Sequence, residues 1–298
     1  MIEVFQQHST FWISTMVILS ALVGSFLNVV IYRLPEMMKR QWRCECTEFL
    51  ELDETAQMIK DKQRFNLSFP VSHCPHCKSS IKPWFNLPVI GYLLIKGKCV
   101  NCKQPISPRY PIIEFFTAAL GGVIAWYFGV SLDAILLLGF LWALISLTMI
   151  DADEKLLPDS ITLPLLWVGL LIHINSSWLS SDLLTQITLT ESLLGAAAGY
   201  MSLWSITFLF KVIRGKEGMG AGDFKLFAVF GAWFGIKALI PIILLSSAVG
   251  AVVGITILII QKKSIDKTTL PFGPYLCGAA LLYVFFAADI QNLLFPQL

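Results

Sequence analysis

Apolar runs close to twenty residues long recur along this chain, at about 11–31, 111–129, 132–150, 161–174, 191–212, 224–236, 238–260 and 272–290. Runs of that length suit the hydrocarbon core of a bilayer, because a helix rises only about 1.5 Å per residue. Lipid offers no water to backbone N–H and C=O groups, so each run must satisfy them internally as a helix. A soluble domain carries about a quarter charged residues. Here only 14% of 298 residues are charged, and the mean hydropathy is +0.70. The expected fold is an all-α polytopic membrane protein with about eight transmembrane helices.

The stretch 32–110 is too rich in charge, Pro and Cys to lie in a bilayer. Three parts follow: a first transmembrane helix (1–32), a cytoplasmic loop (33–110) and a seven-helix membrane domain (111–298). The first run lacks a basic n-region and ends in YRLP, so it reads as a retained helix and not a cleaved signal. Of the Lys and Arg residues, 21 fall on one set of alternating connections, and Lys237 alone falls on the other. The positive-inside rule places the 21 in the cytoplasm, in the large loop, after the third run, in 211–225 and in 261–267. Both termini then face outward, on a multi-pass membrane protein. Residues 175–190 read as a polar outer loop or a surface helix. The 37-residue run 224–260 reads as two helices, with Gly235 and Pro241 supplying the turn. No internal repeat stands out.

Seven cysteines are present, and four form Cys74-Pro-His-Cys77 and Cys99-Val-Asn-Cys102. A C-x-x-C knuckle puts two thiolates on one side of a tight turn, and two knuckles close a tetrahedral zinc site. In a reducing compartment, metal is favoured over disulfide. A zinc-ribbon-like loop is therefore expected, with Cys74, Cys77, Cys99 and Cys102 as ligands to Zn²⁺ and His73 and His76 outside the ligand set. Cys44 and Cys46 fall in an amphipathic cytoplasmic helix, and Cys277 in the packing of the last span.

Acidic residues are scarce outside the large loop. Asp151 follows directly on LWALISLTMI, at a helix C-terminus whose dipole disfavours negative charge. Asp223 opens a span after the strip KEGMGAG. Two carboxylates at one depth can share a proton, one acting on water and the other on a carbonyl. Gly218, Gly220 and Gly222 would leave room for an extended substrate backbone. The competing role for Asp223 is a helix cap or dipole partner. Asp159, after Pro158, reads as an N-cap.

GSFLNVVIYRLP (24–35), the two knuckles, RYPIIE (109–114), DADEKLLPD (151–159), KEGMGAGDFKL (216–226) and PFGPYL (271–276) together resemble the type IV prepilin peptidases. These are the bifunctional leader peptidase/N-methyltransferases of type IV pilus and type II secretion systems. The resemblance runs from about residue 20 to 285, with the motifs in the same order. It implies a membrane aspartyl protease of the G-x-G-D type with Asp151 and Asp223 as the catalytic pair. Cleavage of the prepilin or pseudopilin leader at the cytoplasmic face would be followed by methylation of the new N-terminal residue, commonly Phe, from S-adenosylmethionine. It links the zinc knuckles and Gly97 to methyl transfer, and gives Glu114 a weaker part in holding the substrate amine. The implied partners are prepilin and pseudopilin substrates and membrane lipid, with no nucleic acid. NLP (86–88) and the LIKGKC segment depart conservatively from the family pattern, and no glycine-rich S-adenosylmethionine motif is present. Two other classes fit parts of the chain. A transporter would carry its carboxylates near mid-bilayer and not at span ends. A non-catalytic scaffold with a docking loop would leave both aspartates replaceable.

Overall fold

The structure is a computed structural model that describes residues 2–50, 64–216, 218–261 and 270–294. It forms two compact units, Met1–Val130 and Ser131–Leu298.

The first unit holds α1 (Ile2–Gln7), α2 (Ser9–Phe49), α3 (Ile90–Leu94) and α4 (Arg109–Phe128). α2 has 41 residues, and at 1.5 Å per residue it is about 60 Å long, roughly twice the hydrocarbon thickness. The sequence reading ended the first span near residue 32 and placed Cys44 and Cys46 on a separate amphipathic helix. Instead the span continues through Pro35 as one helix that carries both cysteines. α2 and α4 pack closely, because a Cβ at Gly24 would lie 3.0 Å from the Glu114 backbone and 3.0 Å from Thr117. This close packing places α4 with the first unit. The buried Arg33 guanidinium donates to the carbonyls of Asn66 (3.0 Å), Leu67 (3.3 Å) and Pro70 (2.6 Å), tying the returning loop to α2.

The second unit contains α5 (Leu132–Glu154), α6 (Asp159–Ile172), α7 (Asp182–Thr185), α8 (Leu189–Arg214), α9 (Ala221–Phe234), α10 (Leu239–Gln261) and α11 (Gly273–Leu294). Gly235, at φ 74°, breaks the long 224–260 run, and a short 3-10 turn at Ile236–Ala238 leads into α10, with Pro241 in its first turn. The two-helix reading of that run is what forms. Six helices among the described residues are long and apolar enough to cross a membrane. The other two expected spans, α6 and α9, are 14-residue helices, about 21 Å long. α9 is the centre of the unit: every residue from Leu226 to Phe234 is buried, against α8, α6 and α11. A helix apolar all round belongs inside a bundle, where its length need not match the lipid.

The α8–α9 contact is made by glycine. Gly195 and Gly199 lie one turn apart on α8, and added Cβ atoms would collide with the Gly231 and Phe227 carbonyls. Small residues spaced this way let membrane helices approach backbone to backbone. On the connection 175–190, buried Asp133 accepts bonds from the Ser180 N–H (2.7 Å), the Ser180 hydroxyl (2.6 Å) and the Ser181 N–H (3.1 Å). That connection holds a 3-10 turn at Ser176–Trp178 and the four-residue α7.

Candidate active site

Asp151 lies in the last turn of α5 and is 5% exposed. The helix stops because Lys155 takes a left-handed conformation (φ 52°) and returns its N–H to the Asp151 carbonyl. The Gly273 N–H, at the start of α11, donates to Asp151 Oδ2 at 2.9 Å. A Cβ at Gly273 would stand 2.7 Å from that oxygen, so only glycine lets the backbone come so close. Asp223 sits in the first turn of α9, where its carboxylate meets the Gly220 backbone N–H and its Oδ1 is buried without a partner. Asp151 is close enough to Asp223 for direct electrostatic interaction.

Leu157 links the two halves. A Cβ on Gly222 would meet Leu157 at 2.9 Å, and one on Gly273 would meet it at 3.3 Å. Of the three glycines read as leaving room for substrate, only Gly220 is open. The space above Gly222 is filled by Leu157, whereas Gly220 would meet nothing nearer than Asp223 Oδ2 at 3.8 Å. Gly218 is likewise covered, by the Phe210 ring. The Cys277 thiol, buried and hydrogen-bonded with Thr148, lies within electrostatic reach of both carboxylates. Its burial in the last span is as read, but nothing in the sequence marked its place near the pair. Asp159 is not a side-chain cap. Pro158 holds the N-cap position, and the Asp159 carboxylate accepts both of its bonds from Lys225 Nζ, at 2.8 and 2.7 Å. Glu217 lies outside the described residues.

The second cluster is in the first unit. The sulfurs of Cys74, Cys77, Cys99 and Cys102 all lie within 4.8 Å of one another, with Cys74–Cys102 at 3.7 Å and Cys77–Cys99 at 3.9 Å. Zinc–sulfur bonds of 2.3 Å in a tetrahedron put sulfurs about 3.8 Å apart, so the geometry fits the metal. Each knuckle turns through a lysine in left-handed conformation, Lys78 (φ 58°) and Lys103 (φ 60°). Each is closed by an isolated antiparallel bridge, His73 with Ser80 and Lys98 with Pro105. The knuckles are thus one motif repeated, a repeat too short to stand out from sequence. Bonds from the Ser79 hydroxyl and backbone hold the Cys77 thiol down to about 5, the thiolate state a metal requires. His73 turns its Nδ1 to the Val71 carbonyl, outside the ligand set.

Gly97, at φ 65°, closes the turn ahead of the second knuckle, and a Cβ there would collide with the Tyr92 hydroxyl. Buried Glu114 accepts from the Val89 N–H at 2.7 Å and meets Ser25 and Asn28 on α2. Val89 itself is held at φ 59°, a conformation that costs a β-branched residue energy.

Comparison with known proteins follows the same division. A model of the bacterial peptidase A24 N-terminal domain matches residues 18–128, and one of the type IV leader peptidase family matches 138–255. A prepilin leader peptidase/N-methyltransferase of Pseudomonas putida is 45% identical over 280 residues, covering 94% of this chain and 92% of that protein. Proteins of the same name from Stutzerimonas stutzeri and Neisseria gonorrhoeae are 49% and 44% identical, over 88% and 90% of this chain and 86% and 88% of theirs. No solved structure matches. Matched along both units and by relatives that run nearly end to end with it, the chain belongs to the type IV leader peptidase family.

Proposed function

We propose that this protein removes the leader peptide of type IV prepilins and type II secretion pseudopilins with Asp151 and Asp223, and then methylates the new N-terminal residue. The observation that carries the reading is the pairing of buried Asp151 with half-buried Asp223 where one helix ends and another begins. One carboxylate takes a proton from water as the water oxygen attacks the scissile carbonyl. The other, protonated, donates to the carbonyl oxygen, and the departing amine then recovers a proton. The Gly273 N–H fixes Asp151 in place, and open Gly220 gives the substrate backbone a path to Asp223. A transporter reading is disfavoured because both carboxylates lie at helix ends.

For the second activity, S-adenosylmethionine supplies the methyl group, and the chain must hold the amine unprotonated and in line. Gly97 and Glu114 serve that step by shaping the loop. Gly97 presents no side chain, and Glu114 is already engaged by Val89, Ser25 and Asn28. Zn²⁺, held by Cys74, Cys77, Cys99 and Cys102, would lock the two knuckles together. The assay is direct. The detergent-purified protein, given a prepilin and S-adenosylmethionine, yields pilin lighter by its leader and heavier by one methyl group in the mass spectrum. An unprocessed prepilin would defeat the proposal.

The basic-residue asymmetry supports an inner-membrane location with the site toward the cytoplasm. Reporter fusions in the 213–222 segment are expected to read cytoplasm, and those at 182 to read the outer side. The loop positions 60 and 265, useful for the same purpose, lie outside the described residues. A cytoplasmic reading at 182 would reverse the topology.

A further inference from the structure

We infer that the cysteine loop of the first unit is itself seated in the membrane surface, through a face built from α3 and the turn before it. On α3, Ile90 (58% exposed), Leu93 (67%) and Leu94 (64%) are spaced three and four residues apart and share one face, and Leu87 (47%), just before the helix, is exposed as well. The opposite side of α3 is packed: Gly91 is buried, and a Cβ there would collide with the Phe85 backbone. Trp84, on the 3-10 turn Pro83–Asn86 that precedes the helix, is 68% exposed. A soluble loop has no reason to turn four aliphatic side chains and an indole to water.

The depth of this face is fixed by bonds within the unit. The Val89 N–H, at the start of α3, is held by Glu114, and Asn28 of α2 reaches the Tyr110 carbonyl. Glu114 lies five residues into α4, about 7 Å along its axis. At that level α4 already presents Ile112, Phe115 and Phe116, at 49%, 59% and 56% exposure. The polar zone of a bilayer is itself only about 5–8 Å deep on each side. α3 therefore lies at the headgroup–acyl boundary, where a tryptophan beside an aliphatic stripe is the usual anchor.

Charge selects the lipid. Lys96, Lys98 and Lys103 surround an open hollow of about 490 Å³ whose walls include Leu94 and Val100. Among the described residues none of these three lysines has an ion-pair partner. Aliphatic side chains and three lysines lining one hollow match an anionic phospholipid, acyl chain against the former and phosphate at the latter. The loop would then be a peripheral membrane element that both enters and leaves through spans, positioned along the leaflet surface by lipid and by its tether to Glu114.

The test uses the full chain in nanodiscs containing phospholipids with a diazirine on the acyl chain. After irradiation, adducts are mapped by peptide mass spectrometry. Adducts on 84–94 are expected beside those on Phe115 and Phe116, and Leu93→Gln with Leu94→Gln should remove most of the former while leaving the latter. With phosphatidylglycerol in place of phosphatidylcholine, yield on 84–94 should rise. Lys96→Gln with Lys98→Gln should erase that preference, by at most about fivefold per lysine. Labelling of α4 without adducts on 84–94 would overturn the inference. So would benzoylphenylalanine at Leu93 crosslinking to added prepilin and not to lipid, which would make this a substrate-docking face. Because the readout is lipid contact, it stands or falls independently of leader cleavage.

Discussion

Asp151→Asn and Asp223→Asn are each expected to eliminate leader cleavage while the protein still accumulates in the membrane. Asparagine keeps the shape of aspartate and can still accept the Gly273 N–H at position 151 or the Gly220 N–H at position 223. The fold is therefore retained. What is lost is the ability to take a proton from water or to pass one to the scissile carbonyl. A general acid or base contributes roughly 10²–10⁴-fold, and a pair that works as a unit loses more when broken. The fall should be several orders of magnitude in the rate of leader release, read from the time course of product mass. Asp159→Asn is the matched control, the same chemical change on the third aspartate of that region. Its Lys225 partner is 31% exposed and Asp159 is 53% exposed, so the bond contributes about 0–1 kcal/mol and catalysis should persist. Turnover near the wild-type rate by either asparagine variant of the pair would remove the assignment.

The two aspartates drew notice in the sequence for different reasons. Asp151 ends an apolar helix where the dipole repels it, and Asp223 follows glycines at the edge of a span. The eight apolar runs were equally legible, since length and hydropathy act locally. Contacts made across sequence distance were not. The N–H that fixes Asp151 comes from Gly273, 122 residues away, and no periodicity announces it. Nor does any local rule say that Leu157 fills the space above Gly222, or that Cys277 lies within electrostatic reach of both carboxylates. Gly195 and Gly199 did carry a readable signal, the small-residue spacing at which membrane helices meet. Asp159 misled because Asp after Pro is a common helix start. A lysine on a neighbouring helix offered its carboxylate a charged partner instead.

Separating the two activities gives the second large effect. The aspartates belong to the second unit, whereas the four cysteines, Gly97 and Glu114 belong to the first. Hydrolysis by a carboxylate pair needs no metal. Methyl transfer needs the amine and the donor's methyl carbon held in line at about 3–3.5 Å, and positioning of that kind can be lost through small shifts in a supporting loop. The knuckles are small motifs with little core: Cys74 and Cys99 are buried, but Lys78, His76, Val100 and Asn101 are exposed. On the proposed reading their shape would come largely from metal ligation, which supplies on the order of 10–16 kcal/mol in small zinc modules. Cys74→Ser, Cys99→Ser or chelation of the metal should therefore abolish methylation while leaving most leader cleavage intact. Gly97→Ala should reduce methylation as well, because the new methyl group collides with Tyr92 in a left-handed turn. The pilin product reports both outcomes in one spectrum: leader loss marks cleavage, and the added mass of one methyl group marks transfer. If the knuckle variants cleave as poorly as they methylate, the loop is part of the protease, and the assignment of the two activities to separate units is wrong.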